Sequence, residues 1–296
     1  MKRLFILILI LFFGIVSADA LDPVKIISNK VHKYVSEKTG SMSKYIANSI
    51  PGKGITEVSI DLRENYKPDF SILGTRELKK LDNVNYFMQF SLFSTEQMND
   101  ERYVGNLGFG TRRLSDDKTI FSGLNLFLDY DDEENLRGSL GGEVKNAVLQ
   151  LTSNYYKKID NGTEFEKVLD GYDIQLTSQV PYLHWANIFT STYKWHGVER
   201  NDIEGRKYGS ELFLTPFLNL EVAYDDKRMK GFKDEYYAKL MFVYPPKKKA
   251  STSFGGVSKV MWKEEKDMSG ELLIKVKRQN KIMVESSGSV TVSRLD

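Results

Sequence analysis

With 296 residues the chain is long enough for one or two domains, so length sets no limit on its core. Its 42 Lys and Arg against 40 Asp and Glu leave a formal charge of +2, which argues against a nucleic-acid partner and against acidic disorder. There is no cysteine, so disulfides, thiolate metal sites and cysteine nucleophiles are excluded.

Lys2 and Arg3 precede an apolar run over residues 4–16, and Ala18-Asp19-Ala20 follows. A charged head, an apolar core and small residues at the cleavage site make up a secretory signal. The run is shorter than the ~20 residues of a bilayer-spanning helix, so residues 1–20 are expected to leave after Ala20. Residues 21–54 place Ile27, Val31, Tyr34, Val35, Met42, Tyr45, Ile46 and Ile50 at helical spacing, stopped by Pro51-Gly52-Lys53-Gly54. This predicts a short amphipathic helical segment in the periplasm.

From Ile55 to Pro246 the period becomes two. In residues 171–182 Tyr172, Ile174, Leu176, Val180 and Tyr182 share one face, with Asp173, Gln175, Thr177 and Gln179 on the other. Residues 120–130, 218–225 and 236–244 repeat the pattern. About twelve such segments, most of them ~9–12 residues long, match tilted transmembrane β-strands. The fold expected is therefore all-β, a barrel of about twelve antiparallel transmembrane strands over residues 55–246, rather than a soluble sandwich.

Three further features favour the barrel. Aromatic residues sit at segment ends, and Tyr130, Tyr172, Tyr182, Tyr193, Trp195, Tyr224 and Tyr244 read as membrane-girdle positions, with Tyr155 and Tyr156 beside them. The non-apolar faces carry charge, which suits a wet lumen; Arg112, Glu143, Lys145, Asp173, Gln175, Gln179, Lys194 and Glu221 are the lumen-facing candidates, and Arg113 falls near that register. Connections alternate in length: those near 145–147, 181–184 and 216–218 are tight. Those at 96–101, 131–135, 157–170, 197–206 and 225–234 are longer and charged. Short periplasmic turns opposite long outer loops are what an outer-membrane barrel shows.

The run YVGNLGFGTRRLSDDKTIFSGLNLFLDYD, then LGGEV, LQLTSNYYKKI, GYDIQLTSQVPYL, ELFLTPFLNLEVAY and YYAKLMFVYPP, resembles the β-domain of inverse autotransporters, the intimin and invasin type of surface protein. GNLGFGTR, FLDYD and SNYY are its most specific pieces. The resemblance implies a twelve-stranded outer-membrane barrel with its N-terminus in the periplasm. It also implies a C-terminal linker that returns through the pore with a passenger. The sequence departs from the pattern where a lysin-motif domain and tandem immunoglobulin-like domains are expected, and Lys239 stands where assembly signals commonly carry glycine.

The tail after Pro246 divides in two. Residues 247–265 are basic, small and flexible, and are expected to line the lumen as a linker. Residues 266–296 alternate, with a turn expected at Arg278-Gln279-Asn280, and read as a short β-hairpin on the surface. The function expected is that of a translocator that threads its own tail to the surface with a minimal passenger, in display or adhesion. The alternative is a passive or plugged pore; a rim enzyme using His196 with Asp202 or Glu204 ranks last. The acids Asp129, Asp131, Asp132, Glu133 and Glu134 read as a solvated hairpin tip, with calcium as the alternative. No cofactor and no catalytic or metal residue is expected. The partners expected are outer-membrane lipid, the assembly machinery with periplasmic chaperones, and a host or neighbouring-cell surface ligand.

Overall fold

The computed structural model describes residues 51–63, 68–97, 100–228, 234–246, 251–253, 256–262, 267–286 and 290–291. The expected signal segment 1–20 and the helix expected within 21–54 lie outside the described residues, apart from 51–54 at the start of the first strand.

In chain order the strands are β1 (Gly54–Arg63), β2 (Asp69–Leu81), β3 (Val84–Gln97), β4 (Asp100–Leu114), β5 (Phe121–Asp131), β6 (Leu136–Lys145), β7 (Leu149–Asp160) and β8 (Glu166–Val168). There follow β9 (Asp170–Val180), β10 (Leu183–His196), β11 (Ile203–Phe213), β12 (Leu218–Lys227), β13 (Glu235–Tyr244), β14 (Val284–Ser286) and β15 (Val290–Thr291). Twelve of them close into one barrel in which each strand lies beside its neighbours in sequence, while β15, β14 and β8 form a separate three-stranded sheet. Closure comes from β1, whose Thr56 lies opposite Gly74 of β2 and Tyr244 of β13. A closed antiparallel sheet leaves no unpaired edge, the condition for strands to stand in hydrocarbon.

The alternation in the sequence becomes two environments. Along β5 burial alternates at every residue: Leu124, Leu126, Leu128 and Tyr130 face outward and are exposed, while Phe121, Asn125, Phe127, Asp129 and Asp131 face inward and are buried. A ten-residue strand such as β1 rises about 33 Å and, tilted about 45°, spans about 23 Å, close to the ~25 Å apolar band of an outer-membrane barrel.

The two ends differ. Both ends of the barrel sheet, Gly54 and Tyr244, lie at the end closed by the turns 82–83, 115–120, 146–148, 181–182 and 214–217. Asp82, Lys118 and Tyr182 take positive φ in these tight turns. The opposite end carries 132–135, 161–169 and 197–202. Here the expected long connection at 96–101 is short instead, because Glu96 pairs with Glu101 and Gln97 with Asp100, extending β3 and β4 past the neighbouring strands.

Candidate functional site in the barrel lumen

A twelve-stranded barrel is wider than the eight-stranded ones that wall side chains fill by themselves. Here the tail fills it. After β13 the chain first follows the short-turn end. The Ser253 hydroxyl donates to the Leu214 carbonyl at 3.2 Å, the Trp185 indole to the Gly256 carbonyl at 2.9 Å, and the Tyr182 amide to the Met261 carbonyl at 2.8 Å. It then turns inward: the Met268 amide donates to the Lys118 carbonyl at 2.8 Å, and a 3-10 turn (Met268–Glu271) starts behind Asp267. Residues 272–283 run up the lumen, and β14 emerges at the long-loop end against β8, with Val284 opposite Val168.

The cations of that passage are met by acids of the wall. Lys275 pairs with Glu57 at 2.7 Å, Lys277 with Glu211 at 2.5 Å, Arg278 with Asp129 at 2.7 Å and Lys281 with Asp69 at 2.5 Å. The tail backbone is held as well. Arg112 donates to the Leu272 and Ile274 carbonyls, Gln89 accepts the Val276 amide, and Asn154 donates to the Lys277 carbonyl. At Gln279, Tyr156 accepts the amide at 2.6 Å and Arg137 donates to the carbonyl at 2.8 Å. Asn106 donates to the Asn280 carbonyl at 2.9 Å.

The apolar residues between these polar groups supply the holding energy. Met268 and Leu272 pack with Leu114 and Phe121; Val276 packs with Phe87 and Phe127. Ile282 and Val284 pack with Phe93, Val104 and Val168, and Met283 sits among Tyr156, Leu169, Tyr193, Trp195 and Ile203. All six tail side chains are at most 3% exposed, and each such burial contributes about 1.5–3 kcal/mol. Buried ion pairs add little net stability relative to apolar packing, but breaking one is expensive, so the pairs fix register more than affinity.

Two glycines of the motif GNLGFG, Gly108 and Gly110, answer to this lumen. A Cβ on Gly108 would stand 2.3 Å from the Phe127 ring, and one on Gly110 would stand 2.4 Å from Phe87. With no side chain there, both rings lie flat on the wall. Arg278 of the tail then stacks 4.2 Å above Phe127, and Arg112 stacks 4.5 Å above Phe87. Such stacking suits a planar guanidinium in a desolvated site.

Most of the lumen candidates face inward. Arg112 and Glu143 pair at 2.8 Å on the inner face, and Lys145 reaches Glu271 of the tail at 2.9 Å. Asp173 accepts from the Tyr156 hydroxyl at 2.5 Å, and Glu221 accepts from that of Tyr237 at 2.9 Å. Gln175 borders the space beside the tail, and Gln179 is buried.

Lys194 does not: it faces outward and pairs with Asp202 at 2.9 Å and Glu204 at 2.7 Å. Arg113 is outward and exposed as well. The same parity turns Tyr193 and Trp195 inward, 2% and 0% exposed, and removes them from the girdle. The physical reason is a pair of glycines. Gly205 lies opposite Tyr193 and Gly171 opposite Trp195, leaving room for the large rings on the inside. Tyr156 is likewise inward, whereas Tyr130, Tyr155 and Tyr172 face outward and are exposed. Tyr224 stacks outside on Tyr236 at 4.9 Å, Tyr182 is exposed in its turn, and Tyr244 is half-buried.

The division of the tail also differs from the expectation. The described parts of 247–265 follow the short-turn end rather than the lumen, and residues 272–283 cross the lumen rather than forming a surface hairpin. Arg278-Gln279-Asn280 makes no hairpin turn, because its alternation faces two sides of a cavity instead of one sheet.

Of the five clustered acids, Asp132, Glu133 and Glu134 are exposed at the tip, as the hairpin reading holds. Asp129 and Asp131 are buried and carry structural bonds, to Arg137 and Arg278 for the first and to Arg102 and Asn135 for the second. Among the described residues no three His, Asp or Glu side chains gather as a metal site. His196 lies 3.5 Å from Asp202, but that carboxylate is engaged by Lys194 and by the Gly197 amide at 3.1 Å. Beside the tail a cavity of about 50 Å3 remains between residues 275–280 and the wall. Small-molecule sites begin near ~300 Å3, so this cavity does not hold a solute of that size.

The model of the family described as inverse autotransporter, beta-domain matches residues 16–280, which include the barrel and the lumen segment as far as Asn280. Among curated proteins none matches the chain. A solved structure from work on the in-meso crystallisation of membrane proteins superposes with a TM-score of 0.64 at 18% identity, covering 78% of this chain and 98% of that one. At that identity the likeness concerns the fold alone. The KdgM porin gives 0.42 at 10% identity over 64% of this chain and 98% of its own. Omp33 of Acinetobacter baumannii gives 0.40 at 7% over 64% and 97%.

Proposed function

The chain belongs to the inverse autotransporter β-domain family, barrels of the bacterial outer membrane, and from that premise we propose that it carries its own C-terminal segment through its lumen to the cell surface. The observation that supports this most is the course of residues 267–286. They enter beside the short turns and leave among the long loops, bonded to the wall throughout. With the short-turn end in the periplasm, β14 and β15 stand outside.

In this reading the assembly machinery and periplasmic chaperones deliver the barrel, and lipid covers Tyr130, Tyr172, Tyr224 and the outward leucines. The long loops and the emerging segment are what a host or neighbouring cell meets, in display or adhesion. The barrel performs no catalysis, and His196→Ala leaves its behaviour unchanged.

A tag placed after Asp296 tests the export. On intact cells it is expected to react with antibody as readily as a tag within residues 161–164. Protection of the C-terminal tag, with the loop tag accessible, overturns export and leaves the second reading, a plugged pore. The small residual cavity is the observation that favours that reading.

A further inference from the structure

The three-stranded sheet at the long-loop end is built from a loop of the barrel and the tail. β8 is held by the barrel's own groups as well as by the tail. Glu166 is held by Arg102 at 2.6 and 3.0 Å and by Asn135 at 2.7 Å, and the Val168 amide donates to the Asn161 side chain at 2.8 Å. Gly162 lets this loop press on its neighbour, since a Cβ there would lie 1.7 Å from the Glu133 carbonyl oxygen. One edge of β8 therefore stands ready for a strand. On it β14 lies antiparallel, with Glu285 opposite Lys167, and the Leu169 amide donates to the Met283 carbonyl at 2.9 Å.

Glu285 has the more specific position. Its side chain is 3% exposed, and its carboxylate accepts the backbone amides of Val198 at 3.0 Å and Glu199 at 3.2 Å. The nearest cation of the same loop, Arg200, stands at 3.9 Å. A buried carboxylate persists only where donors meet it, and two successive amides make an anion socket. A slip of β14 by one residue would turn Glu285 to the opposite face and empty that socket.

We propose that β8 and the amides of residues 198–199 form a docking site for an extended strand bearing a central carboxylate, and that its occupant is this chain's own β14, keyed by Glu285. Strand addition of this kind takes affinity from the backbone and specificity from the side chains. Docking stops the moving tail at one register and closes the exit. The inference rests on the export reading for its role, but the docking itself is judged separately.

The test is hydrogen exchange on the purified full-length barrel, with Glu285→Ala, Glu285→Gln and Lys167→Pro. Loss of the charged acceptor shared by the Val198 and Glu199 amides is expected to speed exchange roughly ten- to hundred-fold, in residues 283–286 and 166–169 together. Glu285→Gln, which keeps an acceptor oxygen, falls between Glu285→Ala and wild type. Lys167→Pro breaks the pairing at its centre and gives the same joint acceleration without touching the socket. Unchanged exchange in Glu285→Ala and Lys167→Pro overturns the proposal, as does acceleration confined to 283–286 with 166–169 unmoved. The tag after Asp296 judges export on its own, so the two readings fail by different measurements.

Discussion

Asp129→Asn is the substitution that separates a tail held by charge from one merely enclosed. One oxygen of Asp129 accepts from Arg137 of the wall at 2.8 Å and from Arg278 of the tail at 2.7 Å, and all three side chains are fully buried. Asn106 donates to the other oxygen at 2.8 Å. The amide leaves two buried guanidiniums facing one another without the carboxylate that both contact, a loss of about 3–5 kcal/mol for a broken buried pair. Only the tail can withdraw its cation without unfolding the sheet. The loss therefore falls on the local opening of residues 277–283, which rises by about two to three and a half orders of magnitude. Hydrogen exchange of these amides reads it, with thermal melting as the control on the barrel. Adding Arg278→Met removes one of the stranded cations, and the pair of substitutions is expected to restore about 1–3 kcal/mol relative to Asp129→Asn alone. Exchange in Asp129→Asn equal to wild type would refute the reasoning, because packing alone would then hold the tail.

Three other experiments probe separate parts of the account. A barrel ending at Pro246 loses the cations that face Glu57, Asp69, Asp129 and Glu211. It is expected to conduct in planar bilayers with a preference for cations, whereas the full chain stays closed; equal conductance contradicts the plug. Gly108→Val forces the Phe127 ring off the wall, and overpacking of about 1–3 kcal/mol should lower the melting temperature; an unchanged melt would mean that the ring has room to move. Asp267 accepts the Ser269 amide at 2.8 Å, and that bonding to Ser269 holds its pKa below the usual aspartate value. A depressed folded pKa contributes stability that is present above the unfolded value and is lost as pH falls through the lowered one. Its titration midpoint by NMR should therefore lie below about 3.9, and a midpoint at or above that value contradicts the cap.

What was legible in the sequence is what has period two. Burial of one face and exposure of the other give β5 and β9 their alternation, so strand number, closure and most inward residues could be read from it. Parity failed in β10, where Lys194 between two large rings suggests a polar lumen flanked by a girdle. What decides the matter is the glycine on each neighbouring strand, Gly205 and Gly171, and cross-strand register is not visible along a single strand. The tail failed for a related reason. LIKVKRQNKIMV alternates because apolar residues seek Phe87, Phe127 and Tyr156 while cations seek acids around a ring, and sequence alone does not separate that from a hairpin. Asp129 lay inside an acidic run whose tip is solvated, and its bond to residue 278 joins positions far apart in the chain.

The central claim is that residues 272–283 occupy the lumen of the assembled barrel in the membrane, and cross-linking tests it most directly. The sequence has no cysteine, so Lys277→Cys with Glu211→Cys gives a single reactive pair at a contact the structure places at 2.5 Å between the native side chains. Treated in intact cells with a short bifunctional maleimide, this chain is expected to close into one cross-linked species. Ser59→Cys with Ser71→Cys, hydroxyls 2.6 Å apart on neighbouring strands, serves as the control within the wall. Cross-linking of the control without cross-linking of the 277–211 pair would place the tail outside the lumen and contradict the account.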